Sequence, residues 1–262
     1  MMTGIGYRRE LSAWIDTRPP GIDCLEITAE HFFHGGEEHL AGLAKQFPLF
    51  VHGLALSLGT PGPLDQKHLT RFARVVGVAN PEWISDHIAF TRTVEADLGH
   101  LNPVPPTTEM LKVIADHARE VSERCRKPML LENITSHVQL AGDIKETDFL
   151  NRLCEDSGCG LLLDVTNLFI NSQNHGFDAL EWLDEIEPRH IAQLHIVGYS
   201  RSGNRYTDSH SKPIQDELIE LAHAVVLHAP VRAIILERDE DFPDVVGLEK
   251  EVAKLKRIRA GN

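Results

Sequence analysis

Eight short apolar runs punctuate the chain, at residues 3–7, 22–28, 48–53, 83–90, 129–134, 160–167, 191–199 and 233–238. Each is of strand length, and most are rich in Ile, Val, Leu or Phe. Several lack strict alternation, which predicts strands covered on both faces. Between them, apolar residues recur at helical spacing. The clearest case is 108–124, where Leu111, Ile114, Ala115, Ala118 and Val121 share one face and Thr107 or Thr108 can cap the start. Similar patterns predict helices over 37–46, 65–77, 145–157, 178–186, 214–228 and 246–258, with a short, weak one near 8–15. Strand followed by helix, eight times over, predicts a (β/α)8 TIM barrel. A doubly wound sheet shares this order, because a sequence does not show closure. No linker interrupts the pattern, so residues 1–262 read as one domain.

Composition narrows the function classes. The chain has 42% hydrophobic and 25% charged residues and a formal net charge of -13. That charge repels nucleic acid phosphates and argues against non-specific DNA or RNA binding. The four cysteines, Cys24, Cys125, Cys154 and Cys159, form no CxxC pair, so a zinc knuckle or redox motif is not expected. The N-terminus lacks an apolar secretory core and no apolar run reaches membrane length. These features predict a cytoplasmic protein with reduced thiols and no membrane span.

The ionisable residues fall at the ends of the predicted strands. Glu26 is on the second, His52 on the third, Asp86 and His87 on the fourth, and Glu132 on the fifth. Asp164 is on the sixth, His195 on the seventh and Glu237 on the eighth, with Asp208 and His210 in the polar stretch after the seventh. In a barrel such positions converge on one mouth. Taken singly, each has an ordinary reading: His52 as a core histidine, Glu132 as half of a buried ion pair, Asp164 as a cap on the following turn, Asp208 and His210 as solvated loop. Taken together, several carboxylates inside apolar runs repel one another unless a metal ion resolves the conflict. Imidazole mixed with carboxylate suits iron, zinc or manganese. Asp86 alternates away from His87 and reads either as a helix cap or as a residue that orients a ligand; Glu26 likewise reads as a residue that stands behind a ligand.

These residues lie in segments that resemble the DUF692 (UPF0276) family, the MbnB/TglH-like enzymes. The matching segments are GIGYRREL, CLEITAEHFF, FPLFVHGLALSLGT, WISDHIAF, LLENITSHV, GCGLLLDVTNLFINSQNHGFD, IAQLHIVGY, TDSH and ILERDEDFP, in the family's order and over nearly the whole chain. The resemblance implies a xylose-isomerase-like TIM barrel that holds two or three iron ions in mixed Fe2+/Fe3+ states. It implies O2-dependent oxidative modification of cysteine residues in a ribosomally synthesised precursor peptide. It further implies a leader-binding partner protein, forming a heterodimer with this chain.

Carried over by position, the resemblance implies His52, His87 and Glu132 as one iron site, and Glu132, Asp164, His195 and Glu237 as its neighbour. Asp208 and His210 match an element associated with a further iron, and Asn167 and His175 match polar positions that ligate or orient metal. Asp208, His210 and Asn167 are the residues expected nearest the chemistry. Arg201, Arg205 and Arg238 are candidates to grip peptide carboxylates. Some positions depart from the family's usual residues: Thr166 stands for an asparagine, HIVG for HLAG, and Arg238 for a tryptophan. Two other readings share the barrel and its ligand types. One is a divalent-metal sugar isomerase or endonuclease IV-like phosphodiesterase. The other is a metal-loaded binding protein that acts only through a partner.

Overall fold

The apolar runs close on one another. In the computed structural model, which describes residues 1–93 and 95–260, eight parallel strands form a closed barrel in the order β1-β12-β9-β8-β7-β4-β3-β2. They are β1 (Met2–Gly6), β2 (Cys24–Thr28), β3 (Leu49–His52), β4 (Ile84–His87), β7 (Met129–Glu132), β8 (Gly160–Asp164), β9 (Ile191–Ile196) and β12 (Ala233–Leu236). Val94, Gly261 and Asn262, part of the single domain expected over 1–262, lie outside the described residues.

Helices α2 (Glu37–Gln46), α3 (Gln66–Ala79), α4 (Thr108–Cys125), α5 (Glu146–Ser157), α7 (Ala179–Asp184), α8 (Asp216–His228) and α9 (Val245–Ala260) match the predicted ones within a few residues. Their apolar faces and the outward side chains of the strands, such as Leu25, Val51, Ile84, Leu131, Leu163 and Leu194, make one large core. The weak helix near residue 8 is a 3-10 turn followed by the four-residue α1 (Ser12–Ile15).

Three predicted strands end early, each at the barrel mouth. The run 83–90 breaks after His87, and β5 (Ala89–Arg92) turns out of the barrel to pair antiparallel with β6 (Asp97–Pro103). The run 191–199 breaks after Ile196, and β10 (Gly198–Ser202) pairs with β11 (Arg205–Lys212). Asp208 and His210 therefore stand on a hairpin strand rather than in a loop. The run 160–167 breaks at Asp164, whose carboxylate accepts from Asn167 N at 2.7 Å and caps α6 (Val165–His175). This helix was not predicted. Its first turns are buried almost all round, so no period separates them from a buried strand.

Inside the barrel, side chains form layers with period two. Cys24, Phe50, Trp83, Leu130, Leu162, Ala233 and Ile235 pack as an apolar floor. Phe50 and Trp83 stack with centroids 4.2 Å apart. Gly4 completes this layer because a Cβ there would meet Cys24 Sγ at 2.6 Å and Ile235 Cδ1 at 2.7 Å. Two residues further along the same strands come Glu26, His52, Ser85, Glu132, Asp164 and Glu237. The step from floor to chemistry is one strand repeat. Among the described residues, no helix is long and apolar enough to cross a membrane.

Candidate metal centre

The layer above the floor gathers two groups of potential ligands. His52, His87 and Glu132 form one; Glu132, Asp164, His195 and Glu237 form the other, and Glu132 belongs to both. Within each group the donor atoms lie within 4.8 Å of one another. Register explains the meeting: His87 pairs with Glu132, and Asp164 with His195, across adjacent parallel strands. His52 Nε2 and His87 Nε2 each lie 3.4 Å from Glu132 Oε2. His195 Nδ1 lies 3.1 Å from Glu132 Oε1 and 3.0 Å from Glu237 Oε2. The two carboxylate oxygens of Glu132 thus face two different groups, the geometry of a bridge.

The outer ring atoms are held from behind. His52 Nδ1 contacts Ser85 Oγ at 2.9 Å, and His195 Nε2 lies 2.6 Å from Glu26 Oε1. Asp86 accepts from His87 N at 2.7 Å and from Leu56 N at 3.1 Å, so it orients the strand end and the loop after β3. Gly53 admits it, since a Cβ there would sit 2.5 Å from Asp86 Oδ2.

A cation fits this donor set. His52 Nε2, Glu132 Oε2 and Asp164 Oδ2 are buried with no hydrogen-bond partner, a costly state that coordination would relieve. The electrostatics point the same way. Burial, then the Glu132 carboxylate, pushes Asp164 up to about 8. Burial alone would lower His87, but the Glu132 and Asp86 carboxylates overcome it and raise it to about 9. Burial and the neighbouring His87 and His195 push His52 well below its ordinary value. Without a metal ion, the centre holds its carboxylates together with protons.

The hairpin strand β11 places its two residues at the rim. His210 Nε2 contacts Asp208 Oδ2 at 2.6 Å, and its Nδ1 lies 3.2 Å from Asp239 Oδ2 and 3.7 Å from Glu237 Oε2. His210 adopts φ 45, a left-handed conformation rare for a side chain of its size. Glu237 thus connects the rim cluster to the buried group. Asp239 also accepts from Arg8 Nε at 2.8 Å.

Residues of the α6 signature do something else. Asn167, Asn171 and His175 recur every four residues on one face. Asn167 Nδ2 donates to Asn133 O at 3.1 Å and Asn171 Nδ2 to Ile134 O at 2.9 Å, while His175 Nε2 contacts Ser136 O at 2.8 Å. Thr135 Oγ1 also donates to Asn167 Oδ1. This ladder pins the loop that follows Glu132. His175 is therefore spent on backbone and lies outside both ligand groups. Arg238 is likewise unavailable for peptide. It is buried, paired with Glu251 Oε2 at 3.1 Å, and donates to Ser211 O and Asp241 O. Arg201 lies over the Tyr206 ring, and Arg205 reaches His137 O at 3.5 Å. Asn171, Asp239 and Gln193 went unread in the sequence. Asn171 carried a signal, its four-residue spacing from Asn167 and His175, which the strand reading of 160–167 concealed.

A cavity of about 510 Å³ has Ile88 and Asn133, the residues after His87 and Glu132, in its wall, together with Val104, Ile134, Leu140 and Phe149.

Residues 2–260 match the family described as RiPP precursor modification enzyme MbnB/TglH/ChrH. The chain belongs to that family. UPF0276 proteins of Caulobacter vibrioides and Chromobacterium violaceum are 31% and 33% identical to it, covering 97% and 98% of this chain and 93% and 95% of theirs. The family's barrel has distant likenesses among solved structures. D-psicose 3-epimerase with D-tagatose from Clostridium cellulolyticum superposes with a TM-score of 0.66 at 12% identity, covering 99% of each chain. Endonuclease IV from Thermus thermophilus superposes with a TM-score of 0.62 at 15% identity, covering 100% of this chain and 98% of its own. These share the xylose-isomerase-like TIM barrel fold.

Proposed function

We propose that this family member is an iron enzyme that uses O2 to modify cysteine residues of a ribosomally made precursor peptide, in a reducing cytoplasm and in a heterodimer with a leader-binding partner protein. The observation that carries the reading is Glu132, whose two oxygens face two separate ligand groups. His52, His87 and Glu132 would hold one ion, and Glu132, Asp164, His195 and Glu237 a second. Asp208 and His210 stand at the rim beside Glu237, placed to hold a third ion or to exchange a proton with substrate. Asn167 acts as a positioning residue through its contacts to Asp164 and the loop after Glu132. Bound iron would supply the one-electron chemistry that couples O2 reduction to thiol oxidation.

The chain's own residues supply the rest. The apolar floor excludes water from below, and the histidines, once metal displaces their extra protons, would present neutral imidazole. The cavity beside Ile88 and Asn133 gives apolar room for peptide side chains. Membership of a precursor-modifying family supports a peptide as substrate.

The test is anaerobic purification followed by elemental analysis and Mössbauer spectroscopy, then exposure of the iron-loaded protein, with its partner, to a cysteine-bearing precursor and O2. Two or three irons per chain, with a coupled ferric–ferrous pair and a mass change on the peptide, are expected. Retention of zinc or manganese with no iron after iron-rich expression would defeat the iron reading and favour isomerase or phosphodiesterase chemistry. A complex that consumes no O2 would favour a binding role.

A further inference from the structure

A hydrogen-bonded chain crosses the barrel interior from its floor to the centre. Trp83 Nε1 donates to Gln193 Oε1 at 2.5 Å, and Gln193 Nε2 donates to Glu26 Oε2 at 2.5 Å. Glu26 Oε1 lies 2.6 Å from His195 Nε2. All four side chains are buried.

The direction of this chain is forced at its floor end. An indole N–H donates and cannot accept. The Gln193 atom facing it is therefore the carbonyl oxygen, and the amide nitrogen is left facing Glu26. An amide nitrogen only donates, so Glu26 accepts there and offers its other oxygen to His195. That oxygen accepts from Nε2–H, which leaves Nδ1 to face Glu132 and Glu237. Gln193 Nε2 also lies 3.2 Å from His195 Nε2. Two donors cannot bond each other, and both are aimed at the carboxylate beside them. Trp83 is fixed in turn by its stack on Phe50 and by the Arg232 guanidinium 4.6 Å above its ring.

We propose that Glu26, which only accepts, holds the His195 proton on Nε2 and so keeps Nδ1 as the metal-binding atom, and that Trp83 and Gln193 are positioning residues that present only a donor to position 26 and so bar an amide there from turning its oxygen to His195. The inference rests on the metal reading of the centre. A donor-only group on the barrel floor thus requires an acceptor at position 26, and that acceptor selects the ligating nitrogen.

Polarity makes a test that simple packing would not pass. Glu26→Gln keeps the shape but puts an NH2 opposite His195 Nε2–H. The new amide could turn its oxygen to His195 only if Gln193 also flipped. Gln193 cannot flip, because its NH2 would then meet the Trp83 N–H. Trp83→Phe removes that obstacle. The double variant should therefore bind metal better than Glu26→Gln alone, although it carries one more substitution.

The experiment uses the full chain stripped of metal and titrated with zinc(II), a diamagnetic probe. Calorimetry reads the affinity of each ion, and 15N NMR of the histidine rings reads which nitrogen of His195 bears the proton in the zinc-loaded state. Wild type should take two zinc ions with the His195 proton on Nε2. Glu26→Gln should weaken the second ion by about tenfold or more and leave the ion at His52 and His87 unchanged. Trp83→Phe alone should stay close to wild type, and the double variant should regain much of the loss.

A double variant no better than Glu26→Gln, or a Glu26→Gln protein with wild-type affinity for both ions, overturns the inference. Should Glu26→Gln fail to fold, the wild-type spectrum decides: a proton on Nδ1 with zinc on Nε2 overturns it. Wild type that takes up no second zinc overturns the metal reading as well, whereas two zinc ions without the rescue leave that reading standing.

Discussion

Loading metal into the centre should expel protons, and their number follows from the structure. In the metal-free protein at pH 7, His87 (raised to about 9) and Asp164 (raised to about 8) both keep a proton. His195 is also raised well above its ordinary value: burial opposes this, but the Glu26, Glu237 and Glu132 carboxylates outweigh it. Each must release its proton to ligate. Two ions should therefore displace about three protons at pH 7, one from the first group and two from the second. Holding His87 protonated two pH units below its pKa opposes the first ion by roughly 3 kcal/mol at about 1.4 kcal/mol per unit. Below pH 8, affinity should rise with pH by about tenfold per unit for the first ion and more steeply for the second, which displaces two protons.

Stability carries the same sign. Both groups have raised folded-state values, so the stability they give the metal-free protein is full below their unfolded values and is lost as pH rises through the folded ones. For His87 that window is 6.5 to about 9, and for Asp164 it is 3.8 to about 8. Between pH 6.5 and 8 both decline together, each by on the order of 2 kcal/mol. The assay is calorimetric zinc titration in buffers of different ionisation enthalpy, paired with thermal unfolding of metal-free and loaded protein across pH 6 to 9. Fewer than one proton released per pair of ions, or a metal-free Tm that climbs with pH over this range, would refute the reasoning.

Other expectations follow from particular contacts. Glu132→Gln should lose both ions together, because each group needs one of its oxygens, whereas His52→Ala should spare the ion at Asp164 and His195; metal stoichiometry after dialysis distinguishes the two. Phe50→Ala, which empties the stacked floor, should cost about 3–5 kcal/mol in denaturant unfolding. Arg238→Met should cost roughly 3–5 kcal/mol by stranding Glu251, and pairing it with Glu251→Leu should recover most of that loss. Asn171→Ala should speed amide exchange of Ser136, whose N–H it accepts at 2.9 Å, without altering zinc stoichiometry.

The periodicity of the chain was enough to read the eight barrel strands and most of the helices. It was also enough to set the ligand candidates at the strand ends. A buried strand with one carboxylate or imidazole in it is a local anomaly, visible without knowing its neighbours. Period two then placed Asp86 opposite His87. Asp164 shows how two readings can both hold: it caps α6 and also faces the second ligand group. The early ends of 83–90, 160–167 and 191–199 were not legible, because the apolar run continues past each break, into the first residues of a hairpin strand or into the buried first turns of α6, with no change of period.

Closure and the relative register of the strands belong to tertiary structure alone, since they depend on residues tens of positions apart. Register brings His87 level with Glu132, turns the two Glu132 oxygens to different groups, and lets Trp83 and Gln193 reach Glu26 across the barrel. It also decided against Arg238 as a peptide contact, because α9 delivers Glu251 to it. Residue type and local spacing are written along the chain, and they determined which side chains would be costly to bury. Which atoms of those side chains face one another depends on angles and offsets between strands, and these exist only once the barrel has closed.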